Sequence, residues 1–455
     1  MARLPPFDRR ALTVRTIILV LAGVVLALAI FADQWFGGDP GFGRGQQLLA
    51  ATGLALAVSS FLPVLWSERI IVLVVSTALG IVLTEGALRV AVGPRFASIY
   101  QLDARCLHRH IPNSKKIYRR TDLNGGEKIL VRINSQGYRG EELRERSAGR
   151  RVVLYGDSFI AAEFSAEEAT VAGRLHTGLT SAVGTPVEVV NAGVSGYGPD
   201  QIEARLEEEL PELKPDLVIV FIYAGNDFGD LMRDKMFKLD ENGELQRTSF
   251  VFDGALVAQF EEARRRFILL KILDHVRFGG EDHFTPQADI ARWLRTASTE
   301  YDAYVIRGDN TVSDLLADHP DVDVSTDPES PASRYKVRLM ERVLVRIQGI
   351  CERAATPLLF VFIPSPIDVC DRCDVQHVDP VRFPDYRRST NTDVLQRIAV
   401  DHAMPFINLF SPFRDAGPDR LYFRRDDHWN DEGQALAAQL VQDYILTHEL
   451  LRVRR

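Results

Sequence analysis

The chain has 455 residues, 46% of them hydrophobic, with a formal net charge of −8. That length exceeds one typical core and suits an anchor followed by one large domain. The acidic balance excludes a nucleic-acid partner, since no basic footprint is offered, and four cysteines are too few for a disulfide scaffold.

The first 94 residues form an expected membrane anchor. Residues 16–32 are apolar and uncharged, with Trp35 and Phe36 placed as interface anchors. Residues 45–66 carry no charge, and 70–84 carry none before Glu85 and Arg89, which are spaced to pair along a helix. Spans are expected at 16–36, 46–66 and 70–92, long enough for a hydrocarbon layer of about 30 Å. Ala27-Leu28-Ala29 resembles a signal-peptide cleavage site, but later segments would still retain the chain in the membrane. Arg3, Arg9, Arg10 and Arg15 place the N-terminus in the cytoplasm. Three spans then put the remainder outside, on the periplasmic or extracytoplasmic face of the inner membrane. Two spans would keep it inside.

Residues 95–150 are polar, with turn signals at Asn124-Gly125-Gly126 and Gln136-Gly137, and are expected to form a linker and a small β-rich lead-in. From 151 onward the pattern becomes strand, loop, helix, repeated. Strands are expected at 151–155, 187–190, 217–223, 358–363 and 405–409. Helices are expected at 166–182, 199–210, 333–355, 391–402 and 431–447. This predicts an α/β domain over 151–455, with a parallel sheet of about five strands and helices on both faces. Residues 228–332 form an insertion with amphipathic stretches at 253–276 and 287–305. It is either a cap beside the site or a packing elaboration. The clusters Arg264-Arg265-Arg266 and 452–455 are expected as solvated faces.

Four short blocks carry chemistry, and three of them begin where a predicted strand ends. In such sheets, sites form outside the carboxyl ends of the strands. Gly156-Asp157-Ser158 supplies a serine on a strand-to-helix turn, although a lone serine there also suits a helix N-cap. Gly193 to Gly198 and Gly225-Asn226-Asp227 supply glycines and an amide. The N–H groups of Ser158 and Gly196 and the side chain of Asn226 suit an oxyanion. Asp426-Asp427-His428 supplies a base and a carboxylate. Residues two apart in extended chain share a side, which favours Asp426 over Asp427. Ser195 competes as a nucleophile, but Gly193-Val194-Ser195-Gly196-Tyr197 lacks the final glycine of a nucleophile elbow. Trp429 either walls the site or packs on the last helix.

Cys370 and Cys373 form a C-x-x-C without a second pair, which favours a local disulfide or plain thiols over zinc or redox chemistry. Cys106 and Cys351 are left to pair or remain free.

These blocks resemble the SGNH (GDSL-type) hydrolase family, whose signature serine, glycine, asparagine and histidine fall on Ser158, Gly196, Asn226 and His428. The resemblance covers about 151–447 apart from the insertion, and implies a three-layer αβα, flavodoxin-like fold. The common family aspartate lies three residues before the histidine. Arg425 stands there, and the shorter D-x-H spacing resembles SGNH-type proteins that acetylate exopolysaccharides. The run from Asn134 to Gly140 resembles the lead-in of membrane-anchored members. The family implies that Ser158 attacks an acyl ester, His428 takes its proton, and water or a sugar hydroxyl accepts the acyl group. Neither a metal nor an organic cofactor is implied. Three functions stay open. One is an esterase acting on an O-acetyl group of an envelope or exopolysaccharide glycan. The second is an O-acyltransferase with a membrane partner that donates acyl groups. The third is a non-catalytic glycan-binding module.

Overall fold

Five short apolar runs become the strands of one parallel sheet: β1 (Arg150–Tyr155), β2 (Val187–Asn191), β3 (Leu217–Tyr223), β4 (Leu358–Ile363) and β5 (Phe406–Asn408). The computed structural model describes residues 8–36, 43–119, 127–145, 149–264, 267–272, 290–316, 320–373, 377–423 and 426–451. The Asn124-Gly125-Gly126 turn, Arg425, residues 452–455 and parts of the two amphipathic stretches lie outside them. Contacts divide the chain into two compact units, Met1–Ala91 with Phe267–Leu269, and Val92–Arg266 with Leu270–Arg455.

In the second unit the sheet order is β2-β1-β3-β4-β5, the flavodoxin-like order, in which the strand sequence reverses beside β1. Successive side chains alternate between the two faces. On one face Val153, Val218, Val220, Phe360 and Phe362 join a buried core with helices Pro199–Leu213, Pro331–Arg353 and Thr390–Asp401. On the other face Val152, Leu154, Ile219, Leu359 and Val361 join helices Val171–Val183 and Asp431–Thr447. The central strands β3 and β4 are apolar along their whole length because both faces are covered. These are the three expected layers.

Two antiparallel hairpins precede the sheet, pairing Tyr100–Asp103 with Leu107–His110 and Lys115–Tyr118 with Ile129–Arg132. The insertion contributes a short hairpin, Phe237–Leu239 with Leu245–Arg247, and helices Gly254–Ala263 and Ile290–Tyr301. Cys370 and Cys373 form a disulfide. Cys106 and Cys351 are buried free thiols.

In the first unit, α1 (Arg9–Phe36), α2 (Arg44–Ser59) and α3 (Val64–Phe96) follow one another. Among the described residues, two helical segments are long and apolar enough to cross a membrane: Arg9–Phe31 within α1, at mean hydropathy 2.7, and α3, at 2.2. The helix boundaries differ from the expected ones. The break falls at 60–63, before Val64, where Pro63 cannot continue α2. α3 then runs straight through Ser67, Glu68 and Arg69, where a break between spans was expected. Glu68 is accommodated because Arg10 of α1 holds it with two bonds of 2.7 Å. At 16 residues α2 is about 24 Å long. It packs closely on α1, since a Cβ on Gly53 would lie 2.7 Å from Leu26 Cγ.

Candidate active site

Ser158 is the third residue after β1 and opens a helix of a single turn, Ser158–Ala161. Gly156 is required there, because an added Cβ would lie 2.6 Å from Ile160 Cγ1. Asp157 caps the turn, accepting from the Phe159 N–H at 2.9 Å. Ala162, at φ 48° and ψ 46°, ends it in the left-handed region. One turn sums little macrodipole, so individual N–H groups, rather than a helix field, are what the serine turn offers.

The second block packs onto this turn. Asn191 donates to the Ile160 carbonyl at 2.8 Å and accepts from the Gly193 N–H at 3.0 Å. A Cβ on Gly193 would lie 2.5 Å from Ala161 N, so Gly193 serves close packing. Gly196 differs. Its φ is +76°, and a Cβ would lie 2.2 Å from the Leu315 carbonyl oxygen. No other residue fits that position without strain.

His428 reaches the serine from 270 positions away. Its Nε2 lies 2.6 Å from Ser158 Oγ and its Nδ1 lies 2.5 Å from Asp426 Oδ1. Asp426 Oδ1 also accepts from the His428 backbone N–H at 3.0 Å, which holds the D-x-H segment in a tight turn. Asp427 Oδ1 stands 3.1 Å from the same Nδ1, and its Oδ2 accepts from the Tyr223 hydroxyl at 3.1 Å. Both carboxylates therefore face one nitrogen. Spacing in extended chain favours Asp426 alone. Burial alone would lower the histidine pKa, but the charges of Asp426 and Asp427 outweigh it and hold the imidazole well above its usual range. Phe159 stacks on the imidazole at 5.1 Å, and Trp429 packs edge-on behind Phe159 at 5.0 Å.

Ser158, Gly196, Asn226, Asp426 and His428 all line one cavity of about 730 Å³. Asn226 is buried at the start of helix Asp227–Asp234, and its Oδ1 has no hydrogen-bond partner among the described residues. Ser195 also lines the cavity, but His428 bonds Ser158. The insertion supplies Gln259, Phe260, Ala263, Lys271 and Leu316 to the same wall. Opposite chemistry comes from the lead-in hairpins. The Tyr100 and Tyr118 hydroxyls both donate to Glu163 Oε1, the latter at 2.6 Å.

Residue-by-residue reading of the sequence missed Arg139. Its guanidinium is buried and donates to the carbonyls of Ala161, Ala162 (2.6 Å) and Ser165 (2.7 Å), just after the serine turn. The polar run from Asn134 to Gly140 was its only signal. Asn134 shapes that run, accepting from the Gln136 and Tyr138 N–H groups at 3.0 and 2.9 Å.

Residues 154–327 match the model of the GDSL-like lipase/acylhydrolase family. The matched segment holds the serine, glycine and asparagine blocks, while the histidine block lies beyond it. No curated protein matches the chain. Among solved structures, the chain is similar to a catalytic mutant of an acetylxylan esterase from Geobacillus stearothermophilus, with 14% identity and a TM-score of 0.34, over 66% of this chain and 96% of that one. An alpha/beta hydrolase from the metagenome of Lake Arreo shows 15% identity and a TM-score of 0.34, over 66% and 97%. A lipase/acylhydrolase from Enterococcus faecalis shows 15% identity and a TM-score of 0.27, over 65% and 95%. The family match over 154–327 supports a hydrolase acting on ester bonds.

Proposed function

We propose that Ser158, His428 and Asp426 form a catalytic triad, with the N–H groups of Ser158 and Gly196 and the side chain of Asn226 as oxyanion donors. The observation that carries this reading is the 2.6 Å contact between His428 Nε2 and Ser158 Oγ, with Asp426 on the opposite ring nitrogen. A serine hydroxyl is a weak nucleophile until a base takes its proton. His428 Nε2 accepts that proton as Oγ bonds to the acyl carbon, and the ester carbonyl becomes an alkoxide held by the three donors. Collapse expels the alcohol, which takes the proton back from His428. Water then repeats the sequence on the acyl-enzyme and releases the acid.

The substrate reading is an O-acetyl ester on an envelope glycan. A cavity that combines a tyrosine-held carboxylate at Glu163 with the rings of Phe164 and Phe423 suits a polyol with apolar ring faces. The chain is anchored by three passes, with the N-terminus in the cytoplasm and the hydrolase domain on the far side of the inner membrane. The Arg10–Glu68 pair supports three passes. It ties the start of α1 to the start of α3, so α2 returns the chain in between.

Hydrolysis of acetylated sugars by the full chain in detergent, with Ser158→Ala beside it, tests the reading. Loss of at least about a thousand-fold in kcat is expected for the variant. Unchanged turnover would reject Ser158 as nucleophile. Turnover that rises sharply with an added glycan acceptor would favour acyl transfer over hydrolysis.

A further inference from the structure

The two peptides that flank Gly196 are each held through their carbonyl by a side chain of another element. His108, from the second strand of the first lead-in hairpin, is fully buried, and its Nε2 lies 2.9 Å from the Ser195 carbonyl oxygen. A carbonyl only accepts, so Nε2 carries the proton. The Gln201 amide sits 3.2 Å from Nδ1. Its orientation is fixed, because its nitrogen donates to the Cys106 carbonyl at 2.9 Å and its oxygen accepts from the Gly198 N–H at 3.0 Å. The amide nitrogen therefore donates to Nδ1, and His108 is a neutral imidazole with its proton on Nε2. Burial, which pushes its pKa down to about 4, agrees with the neutral form.

On the other side Arg233 Nη2 donates to the Gly196 carbonyl at 2.6 Å. Arg233 is itself buried and pinned, with Nη1 at 2.9 Å from Asp230 Oδ1 and Nε at 3.2 Å from Asp234 Oδ1. A trans peptide is planar, so its C=O and N–H point in opposite directions. Fixing the Ser195 oxygen on His108 therefore fixes the direction of the Gly196 N–H. Gly196 alone is too free to hold that direction, since glycine populates both signs of φ.

We propose that His108 and Arg233 are positioning residues that clamp the peptides on either side of Gly196, His108 aiming the Gly196 N–H at the oxyanion and Arg233 fixing the peptide that follows it. This rests on the Ser158–His428 reading of the site. The lead-in hairpin is then part of the esterase machinery, although His108 touches no substrate. Gln201 sets the tautomer that the clamp requires.

The test uses the full chain in detergent. His108→Phe keeps the ring that packs edge-on against Tyr197 at 5.0 Å but removes the donor. His108→Gln places an amide donor near the original Nε2. Expected for His108→Phe is a loss of about a hundred-fold in kcat with little change in KM, because a misplaced donor acts on the transition state. His108→Gln should recover most of that loss. A folded His108→Phe protein with wild-type kcat, or one that changes only KM, overturns the clamp. Activity that survives Ser158→Ala would instead overturn the site reading itself. Should His108→Phe fail to fold, ¹⁵N shifts of the wild-type imidazole decide. A proton on Nε2, unchanged between about pH 6 and 9, is expected for a ring that does not titrate near the usual histidine range. A proton on Nδ1, or titration within that range, overturns the clamp.

Discussion

His428 carries two carboxylates on one ring nitrogen, and they are not equivalent. Asp426 is nearer and also binds the histidine backbone, whereas Asp427 divides itself between Nδ1 and the Tyr223 hydroxyl. In the proposed triad Asp426 is thus the orienting group, and Asp427 chiefly adds negative charge. A proton must leave His428 before it can act as base, and both charges hold that proton on. The kcat/KM of the wild-type chain should fall as pH drops through this raised pKa, so its acid limb should lie above the usual histidine value of about 6.5. Asp427→Asn should move the limb to lower pH while leaving activity on the plateau within about ten-fold. Asp426→Asn should cost far more, on the order of a thousand-fold or above, through loss of tautomer and orientation. pH–rate profiles of both variants check this. A larger loss for Asp427→Asn would reverse the two roles.

The serine turn is a short element that needs outside support. Four residues of helix leave carbonyls without helical partners, and Arg139 collects that of Ala161 together with those of Ala162 and Ser165 just beyond the turn. Each buried carbonyl left bare costs about 1–3 kcal/mol. The Ala162 carbonyl keeps the Ser165 N–H, so Arg139→Met bares two carbonyls and should lower stability by about 2 kcal/mol or more, read as a fall in Tm, and should lower kcat as the turn loosens. Unchanged Tm would show that water replaces the guanidinium. The sheet strands and the main helices were legible because their apolar runs are local and bounded by turn residues. The same holds for the four blocks, whose residue types announce their chemistry. Arg139 and His108 were not legible in that way. Their partners lie 22 to 26 and 87 positions away, and neither residue type signals a role until the fold brings those carbonyls to it. The α2–α3 boundary was missed for a related reason. Glu68 looked like a gap between spans, and only its pairing with Arg10 lets the helix continue through it.

At the scale of the whole molecule, parity of the proposed anchor decides where the chemistry occurs. With α1, α2 and α3 as three passes, a reporter fused at Arg455 should lie outside the cytoplasm, and protease added from the outer face of the membrane should reach it. Cytoplasmic placement would reduce the anchor to two passes and leave α2 as a surface or re-entrant segment. The hydrolase domain combines parts from the lead-in hairpins, the sheet rim, the insertion and the last loop, so the cavity is complete only in the full fold. The most direct measurement on this assembly is mass mapping of the adduct formed by a fluorophosphonate with the full-length chain. One adduct on Ser158 is expected, absent from both Ser158→Ala and His428→Ala. An adduct on Ser195, or labelling that survives without His428, would contradict the proposed triad.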